Sequence, residues 1–442
     1  MLTVEENAML TQTNPKTPMG EVFRSYWQPT LLSRELPHND CPPVRVKLLN
    51  EDFVAFRDSE GKVGIVSPRC PHRGADLFFG RNEHCGLRCV YHGWKFDIHG
   101  NCIEVPNAEA SVSERLKKRA SIRSLPTREW GDIIWAYMGA DEPPELPQFE
   151  FAKVPSEHRF VSKKFQQCNW AQACEGGLDT AHFSFLHAGM NEGERVGLHQ
   201  IGMTKEKRQG QKEPDRLARF RWMIEDPAPR FTVLEHDAGL LLCAARNSDT
   251  DNSYWRMTQF LMPNHSLAPG NLPDDNNVGN TWVPVDDESC WIFCFCWNPD
   301  RPLTEKEKNA MASGSGIFAE VDEKYVPIRR RENNYLLDRD LQDQDNYTGI
   351  QGISEQDQAI ADSQGYIANR TDELLVQTDL GVVKFRQAML KAIDDTRAGR
   401  SPQGVRNPEA YFVRSGDSIA PPDLEIESVV QSRFGGMWGV QE

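Results

Sequence analysis

Cys70-Pro71-His72 and Cys89-Val90-Tyr91-His92 decide how this chain is read. A Cys-x-His pair is followed, after a spacer of sixteen residues, by a Cys-x-x-His pair. Two thiolates and two imidazoles in matched pairs make a metal site by spacing alone. In a [2Fe–2S] centre of mixed ligation, two Cys hold one iron and two His hold the other. Neutral imidazoles in place of anionic thiolates raise the reduction potential, which makes the centre a good electron acceptor. Cys2His2 also suits tetrahedral zinc. Zinc fingers, however, pair Cys with Cys and His with His, and here each pair is mixed. Each pair also leads into a flexible turn, Arg73-Gly74 and Gly93-Trp94, whose backbone N–H groups can turn toward cluster sulfurs. Iron–sulfur ligation is the preferred reading and zinc the alternative. His84 and Cys85 lie in the spacer; Cys85 would break the Cys-x-x-His pairing, so both are read as non-ligands.

The rest of the composition bounds what such a centre serves. The 442 residues are enough for two or three domains, and 39% hydrophobic with 26% charged residues is ordinary for a globular chain. A net charge of −15 argues against a nucleic-acid partner and means that an anionic substrate needs local Arg or Lys. The start, MLTVEENAML, carries two Glu and no long apolar run, which predicts no signal peptide. No stretch approaches the ~18 apolar residues of a spanning helix. Eleven scattered Cys read as thiols and metal ligands in a reducing compartment, so a cytoplasmic protein with no membrane partner is expected.

Outward from the ligand pairs, residues 1–43 form a lead-in punctuated by Pro15, Pro18 and Gly20. From Val44 the pattern turns to strands: VRVKLL, FVAFRD and KVGIVS, the last reached through Ser59-Glu60-Gly61. The first ligand pair then falls in a loop after a strand, and the second at a hairpin tip before a turn at His99-Gly100. WGDIIWAYMG closes the unit, and the Pro- and acid-rich ADEPPELPQFE marks a boundary near residue 150. Residues 44–150 are thus expected to form an all-β cluster domain, and 151–442 a second domain. In the latter, RLARFRWMI, FTVLEH, AGLLLCAARN, YWRMTQFLMP, GNTWVPV and SCWIFCFCW read as an antiparallel sheet, with DTDNS and PDDNN as loops. Residues 303–400 turn helical, TDLGVVKFRQAMLKAIDDTRAG showing a 3.6-residue period. The fold class is α+β. The tail from Ser401 carries no readable signal.

A second constellation lies in NWAQACEGGLDTAHFSFLH, residues 169–187. Asp179 and His182, three apart, are expected to share a helix face. His187 is five beyond His182, so bringing both to one metal needs a widened turn or a helix end near His187, with Gly189 as a stop. Two ordinary, partly buried histidines are the plainer reading. An electron-accepting cluster upstream weighs against it, because that cluster needs somewhere to deliver its electron. A two-His-one-carboxylate iron site also needs an acid. Glu355, Asp357 and Asp362 are the candidates in the helical stretch that follows Ile353. For a substrate carboxylate, Arg246 ends an apolar run on a predicted sheet strand, and Arg219 and Arg221 are expected to share one face of another.

The segment CPHRGADLFFGRNEHCGLRCVYHGWKFD resembles the cluster-binding segment of the Rieske non-haem iron aromatic-ring oxygenases. TPMGEVFRSYWQP, the 169–187 string and LLLCAARNSDTDNSYWRMTQFLMP resemble, in turn, parts of the phthalate type of that family. The resemblance implies a Rieske domain followed by a catalytic sheet covered by helices, of the helix-grip or START-like kind. It implies one [2Fe–2S] cluster on Cys70, His72, Cys89 and His92, and one Fe(II) on His182, His187 and a third ligand. The Gln-Asp-x-Ala pattern resembles the family's ligand-bearing helix, which selects Asp357. Asp179 would bridge His182 to a cluster His of the adjacent subunit, in a trimer or a multiple of trimers. Arg246 would hold a carboxylate. The implied activity is that of a terminal oxygenase, cis-dihydroxylating a phthalate or substituted benzoate with O2. Its electrons would come from NAD(P)H through a flavin and iron–sulfur reductase. Monooxygenation or O- or N-demethylation is the alternative, since one site supports several chemistries. A Rieske electron carrier without oxygenase activity is the reading of another class.

Overall fold

The computed structural model describes residues 1–189, 216–248, 251–270 and 275–439. Two small antiparallel sheets frame the cluster motif. One joins Val44–Leu48, Glu51–Arg57, Val63–Val66 and Ser124–Leu125; the other joins Arg81–Asn82, Leu87–Arg88, Lys95–Phe96 and Cys102–Glu104. Val54, Phe56, Val66, Leu77, Leu87 and Phe96 form the apolar core between them, and Cys70 and Cys89 are buried in the same cluster. Hydrophobic burial thus seats both thiols at the base of their loops.

The lead-in is not separate from this unit. Trp27–Leu32 pairs antiparallel with Ile133–Tyr137, which also pairs with Thr127–Trp130. Ile133, Trp135 and Phe149 belong to the same continuous core as Phe293 and Trp297 of the larger sheet. The Pro-rich stretch near residue 150 is therefore clamped, with Phe149 packed on Trp135 (6.2 Å between ring centroids) and edge-on to His265 (4.8 Å).

The second unit is an eight-stranded antiparallel sheet. Its main path runs Arg159–Gln166, Ser289–Trp297, Asn277–Asp286, His265–Ala268, Ser253–Leu261, Gly239–Asn247 and Arg230–His236. Residues 249–250 and 273–274 of the expected loops lie outside the described residues. The strand Gly239–Asn247 is buried along all but its last residue. Continuous apolar runs of this kind mean that both sheet faces are covered. Leu240 and Leu242 join the core that includes Phe385 and Met389 of helix Leu380–Arg397. Leu241, Cys243 and Ala245 point the other way, onto Val429, Val430 and Phe434 of helix Ile426–Phe434. The tail, silent in the sequence, is thus the second cover of the sheet, and it adds an eighth strand, Gly416–Ala420, beside Ser253–Leu261. Among the described residues no helix is long and apolar enough to cross a membrane.

Two local expectations are corrected. RLARFRWMI is not a strand: Arg216–Glu225 is an α-helix. The alternation of Arg219, Phe220, Arg221 and Trp222 mimics a strand for only four residues. Ala218 and Trp222, and Phe220, Met223 and Ile224, are buried at helical spacings. Arg219 and Arg221 are then about 200° apart around the helix. Arg219 pairs with Asp417 at 2.6 Å, and Arg221 is exposed beside Glu225 at 4.0 Å.

The second correction concerns the turn before the histidines. Helix Trp170–Leu178 ends at Asp179, which is extended (φ −72°, ψ 117°). Asp179 and His182 therefore do not share a helix face, and the break comes before the first His, not near His187. Asp179 itself makes the break, because its Oδ1 accepts the backbone N–H of Ala181 at 2.7 Å. The helix is held hard against the sheet at Gly177, where a Cβ would lie 2.4 Å from the Trp282 ring.

Candidate metal centres

The two cluster loops are built alike. Cys70 N–H donates to the Ala75 carbonyl (2.9 Å) and Gly74 N–H to the Cys70 carbonyl (2.9 Å); Cys89 N–H donates to Trp94 (2.8 Å) and Gly93 N–H to Cys89 (2.9 Å). Gly74 and Gly93 occupy the same left-handed position, φ +72° and +76°, which closes each loop back on its own thiol. Arg88 anchors the second loop through the Gly93 carbonyl (2.9 Å) while paired with Glu83 (2.8 Å) and Glu104 (2.7 Å).

The rings of His72 and His92 meet at 4.3 Å, and His72 stacks on Trp94 at 4.9 Å and 3°. Trp94 is fixed in turn by donating to Asn107 at 2.8 Å. Nδ1 of His72 and Nδ1 of His92 are both buried with no hydrogen-bond partner among the described residues. Burial pushes the Cys70 thiol up to about 11, with Cys89 adding to the effect against a backbone N–H of His72. Two buried thiols, Cys70 held from ionising by its burial, and two orphaned imidazole nitrogens fit a metal cluster, which supplies the charge that makes thiolates favourable. His84 and Cys85 sit at the tip of the turn between Arg81–Asn82 and Leu87–Arg88, both with positive φ.

The second site assembles from two segments. His182 lies in a short 3-10 turn, His182–Ser184, and His187 in the loop beyond it; Asp357 lies on helix Ile353–Ser363. His182 Nε2 and His187 Nε2 are 3.1 Å apart, and Asp357 Oδ1 is 3.6 Å from the first and 3.2 Å from the second. Three ligands on one octahedral face at metal bonds of ~2.0–2.2 Å stand about 3 Å from one another, close to this triangle. Asp179 Oδ2 backs His182 Nδ1 at 3.6 Å. Burial raises the Asp357 carboxyl, but the imidazoles of His187 and His182 and the nearby Lys164 bring it below its ordinary value. Burial disfavours a charged His182, and Asp179 and Asp357 overcome it, holding its pKa above the ordinary value.

The other two acids are committed elsewhere. Glu355 is buried and turned to Arg329 at 3.8 Å, and Asp362 accepts from Gln166 at 3.0 Å and from the Tyr335 hydroxyl. Helix geometry explains this: five residues or two residues from Asp357, each points to a different side of the same cylinder.

Arg246 lies opposite Tyr254 in the sheet, fully buried, on the face that carries Leu240 and Leu242. Its Nη2 donates to the Thr180 carbonyl at 2.6 Å and its Nε to the backbone carbonyl of Asp226 at 3.3 Å; its Nη1 has no partner among the described residues. Burial and the neighbouring Arg256 lower it to about 10, so it remains a cation at neutral pH. Sequence reading missed Arg256, whose guanidinium covers the Phe183 ring at 4.6 Å beside the His182 segment. The strand alternation in YWRMTQF, two residues beyond Tyr254, was the signal for it.

Two family models account for this arrangement. A Rieske [2Fe-2S] domain matches residues 26–126, and a LigXa C-terminal domain-like model matches residues 136–424. The chain belongs to the Rieske non-haem iron oxygenases. It is of the phthalate 4,5-dioxygenase-like type: the phthalate 4,5-dioxygenase oxygenase subunit of Pseudomonas putida is 38% identical over 92% of this chain and 89% of that one. The 3-chlorobenzoate-3,4-dioxygenase oxygenase subunit of Comamonas testosteroni is 35% identical over 99% and 100%. The 5,5'-dehydrodivanillate O-demethylase oxygenase subunit of Sphingobium is 28% identical over 92% and 84%. Among solved structures, NdmA of Pseudomonas putida CBB5 superposes with a TM-score of 0.56 at 19% identity, over 92% of this chain and all of that one. Dicamba monooxygenase bound to dicamba gives 0.54 at 17%, over 85% and 99%; these likenesses concern the fold. The chain is therefore the terminal oxygenase component of a Rieske system, with a [2Fe–2S] cluster and a mononuclear iron. The Rieske match over 26–126 replaces a zinc domain as the reading of that segment, and the match over 136–424 answers the electron-carrier reading.

Proposed function

We propose that this oxygenase cis-dihydroxylates an aromatic carboxylate, a phthalate or a substituted benzoate. O2 is the co-substrate, and electrons come from NAD(P)H through a flavin and iron–sulfur reductase in the cytoplasm. The observation that carries the carboxylate is Arg246: a buried cation with an N–H that has no partner among the described residues, held over the segment that bears His182. A buried guanidinium left with a spare donor is costly unless a charged acceptor completes it. Relatives named for phthalate and 3-chlorobenzoate support the same substrate class.

In this reading Cys70, His72, Cys89 and His92 hold the cluster, and His182, His187 and Asp357 hold the iron. When bound, these groups supply single electrons and an O2-activating ferrous site. Asp179 fixes the tautomer of His182 and links it to a cluster His of the neighbouring subunit in a trimer or multiple of trimers. Arg246 orients the ring by its carboxylate.

Turnover with isotopically labelled O2 tests the reaction. Both labelled atoms in a ring diol support dioxygenation. A single labelled atom, or formaldehyde released from a methoxylated acid, replaces it with the monooxygenase or demethylase reading, which an O-demethylase among the relatives keeps in view. Arg246→Gln is expected to raise KM for the acid about 10- to 150-fold, the equivalent of the ~1.5–3 kcal/mol of a charged hydrogen bond. KM for the matching methyl ester should barely change. Equal losses for acid and ester would remove Arg246 from substrate recognition.

A further inference from the structure

The two imidazoles of the iron site are backed by different chemistry. His182 faces the carboxylate of Asp179. His187 faces a neutral amide: its Nδ1 lies 2.7 Å from Gln356 Oε1. The amide orientation follows from its other end, since Gln356 Nε2 donates to the Ile350 carbonyl at 2.8 Å, which leaves only the oxygen for the imidazole. An oxygen there accepts, so Nδ1 of His187 carries the proton and Nε2 keeps its lone pair. Nε2 is the atom that lies 3.2 Å from Asp357 and 3.1 Å from His182 Nε2. Gln356 is fully buried and His187 almost so, at 3% exposure, so water does not compete for this bond.

We infer that Gln356 is a positioning residue for the mononuclear iron: it locks His187 in the metal-binding tautomer without adding charge. Asp357 is its immediate neighbour on helix Ile353–Ser363. One short stretch of helix therefore delivers a ligand directly and aims a second one from behind. Among the described residues, the carboxylates that reach the two imidazoles are Asp357 at the ligand position and Asp179 behind His182. Gln356 keeps the buried His187 side neutral, which favours the ferrous state over the ferric one.

The inference rests on the iron assignment above, and its test separates the two. Protein carrying its cluster is dialysed against isotopically labelled ferrous iron without oxygen, and the mononuclear iron is read by Mössbauer spectroscopy. Gln356→Met keeps the side-chain shape but loses both hydrogen bonds; Gln356→Glu keeps an acceptor for His187 and loses only the donation to Ile350. The Met variant is expected to bind ferrous iron about 10- to 100-fold more weakly with an unchanged cluster spectrum. The Glu variant should bind at least as tightly as the parent, with its iron easier to oxidise. Parent-like affinity and spectrum in the Met variant would overturn the inference, as would a Glu variant as weak as Met. Failure of the parent protein itself to take up mononuclear iron would instead overturn the iron assignment.

Discussion

Asp357→Ala is expected to leave the cluster in place and empty the mononuclear site, taking iron from three atoms per chain to the two of the [2Fe–2S] cluster. The carboxylate is the one anion in the triangle, and its Oδ1 lies 3.2 and 3.6 Å from the two imidazole nitrogens. Sharing the ~10–16 kcal/mol of a four-ligand structural zinc site equally gives about 2.5–4 kcal/mol per ligand, which sets the scale of the loss at roughly 70- to 850-fold in affinity. Among the described residues, the other two acids of the same helix face elsewhere, Glu355 toward Arg329 and Asp362 toward Gln166 and Tyr335. Substrate oxidation should fall below detection while the visible spectrum of the cluster and its reduction by dithionite stay as in the parent. Glu355→Gln and Asp362→Asn should keep the full iron content. An Asp357→Ala protein that retained mononuclear iron would transfer the ligand role to another acid.

Asp179→Asn is expected to keep both metal centres and lose the traffic between them. The carboxylate uses its two oxygens differently. Oδ1 accepts the Ala181 N–H at 2.7 Å and ends the helix; Oδ2 backs His182 Nδ1 at 3.6 Å. An Asn side chain can keep the first contact, so the local fold and the His182 position survive. It removes the charge that steadies His182 and can present N–H where an acceptor is needed. Coupled turnover should drop on the order of 100-fold or more, by analogy with the loss seen when a carboxylate behind a functional imidazole is neutralised. The measurement is the reoxidation rate of the reduced cluster after mixing with O2 and substrate, beside an iron count. Slow reoxidation at full iron content is the expected pair. Full coupled turnover would count against a bridging role.

The two centres were legible to different degrees, for reasons visible in particular residues. Cys70 with His72, and Cys89 with His92, are close in sequence, and any fold that buries Leu77, Leu87 and Phe96 brings their loops together. The apolar run through Leu240–Ala245 likewise announced a sheet strand, but not that residues beyond 401 would cover its second face. Arg219 and Arg221 misled because four alternating residues satisfy a strand pattern that the next three break. The turn at Asp179 was misplaced because a side chain accepting from Ala181 overrides the helical spacing of the residues around it.

The sequence by itself determined the cluster motif, the antiparallel sheet and the segments carrying His182, His187 and Asp357, since each is a matter of near neighbours and short periods. Only the tertiary structure decided that Asp357, which the family resemblance selected, stands beside the imidazoles while Glu355 and Asp362 turn away, that Arg246 is buried against Thr180, and that Gln356 lies behind His187. Those outcomes depend on helix rotation, about 100° per residue, and on packing between segments far apart in the chain, and no local pattern encodes either.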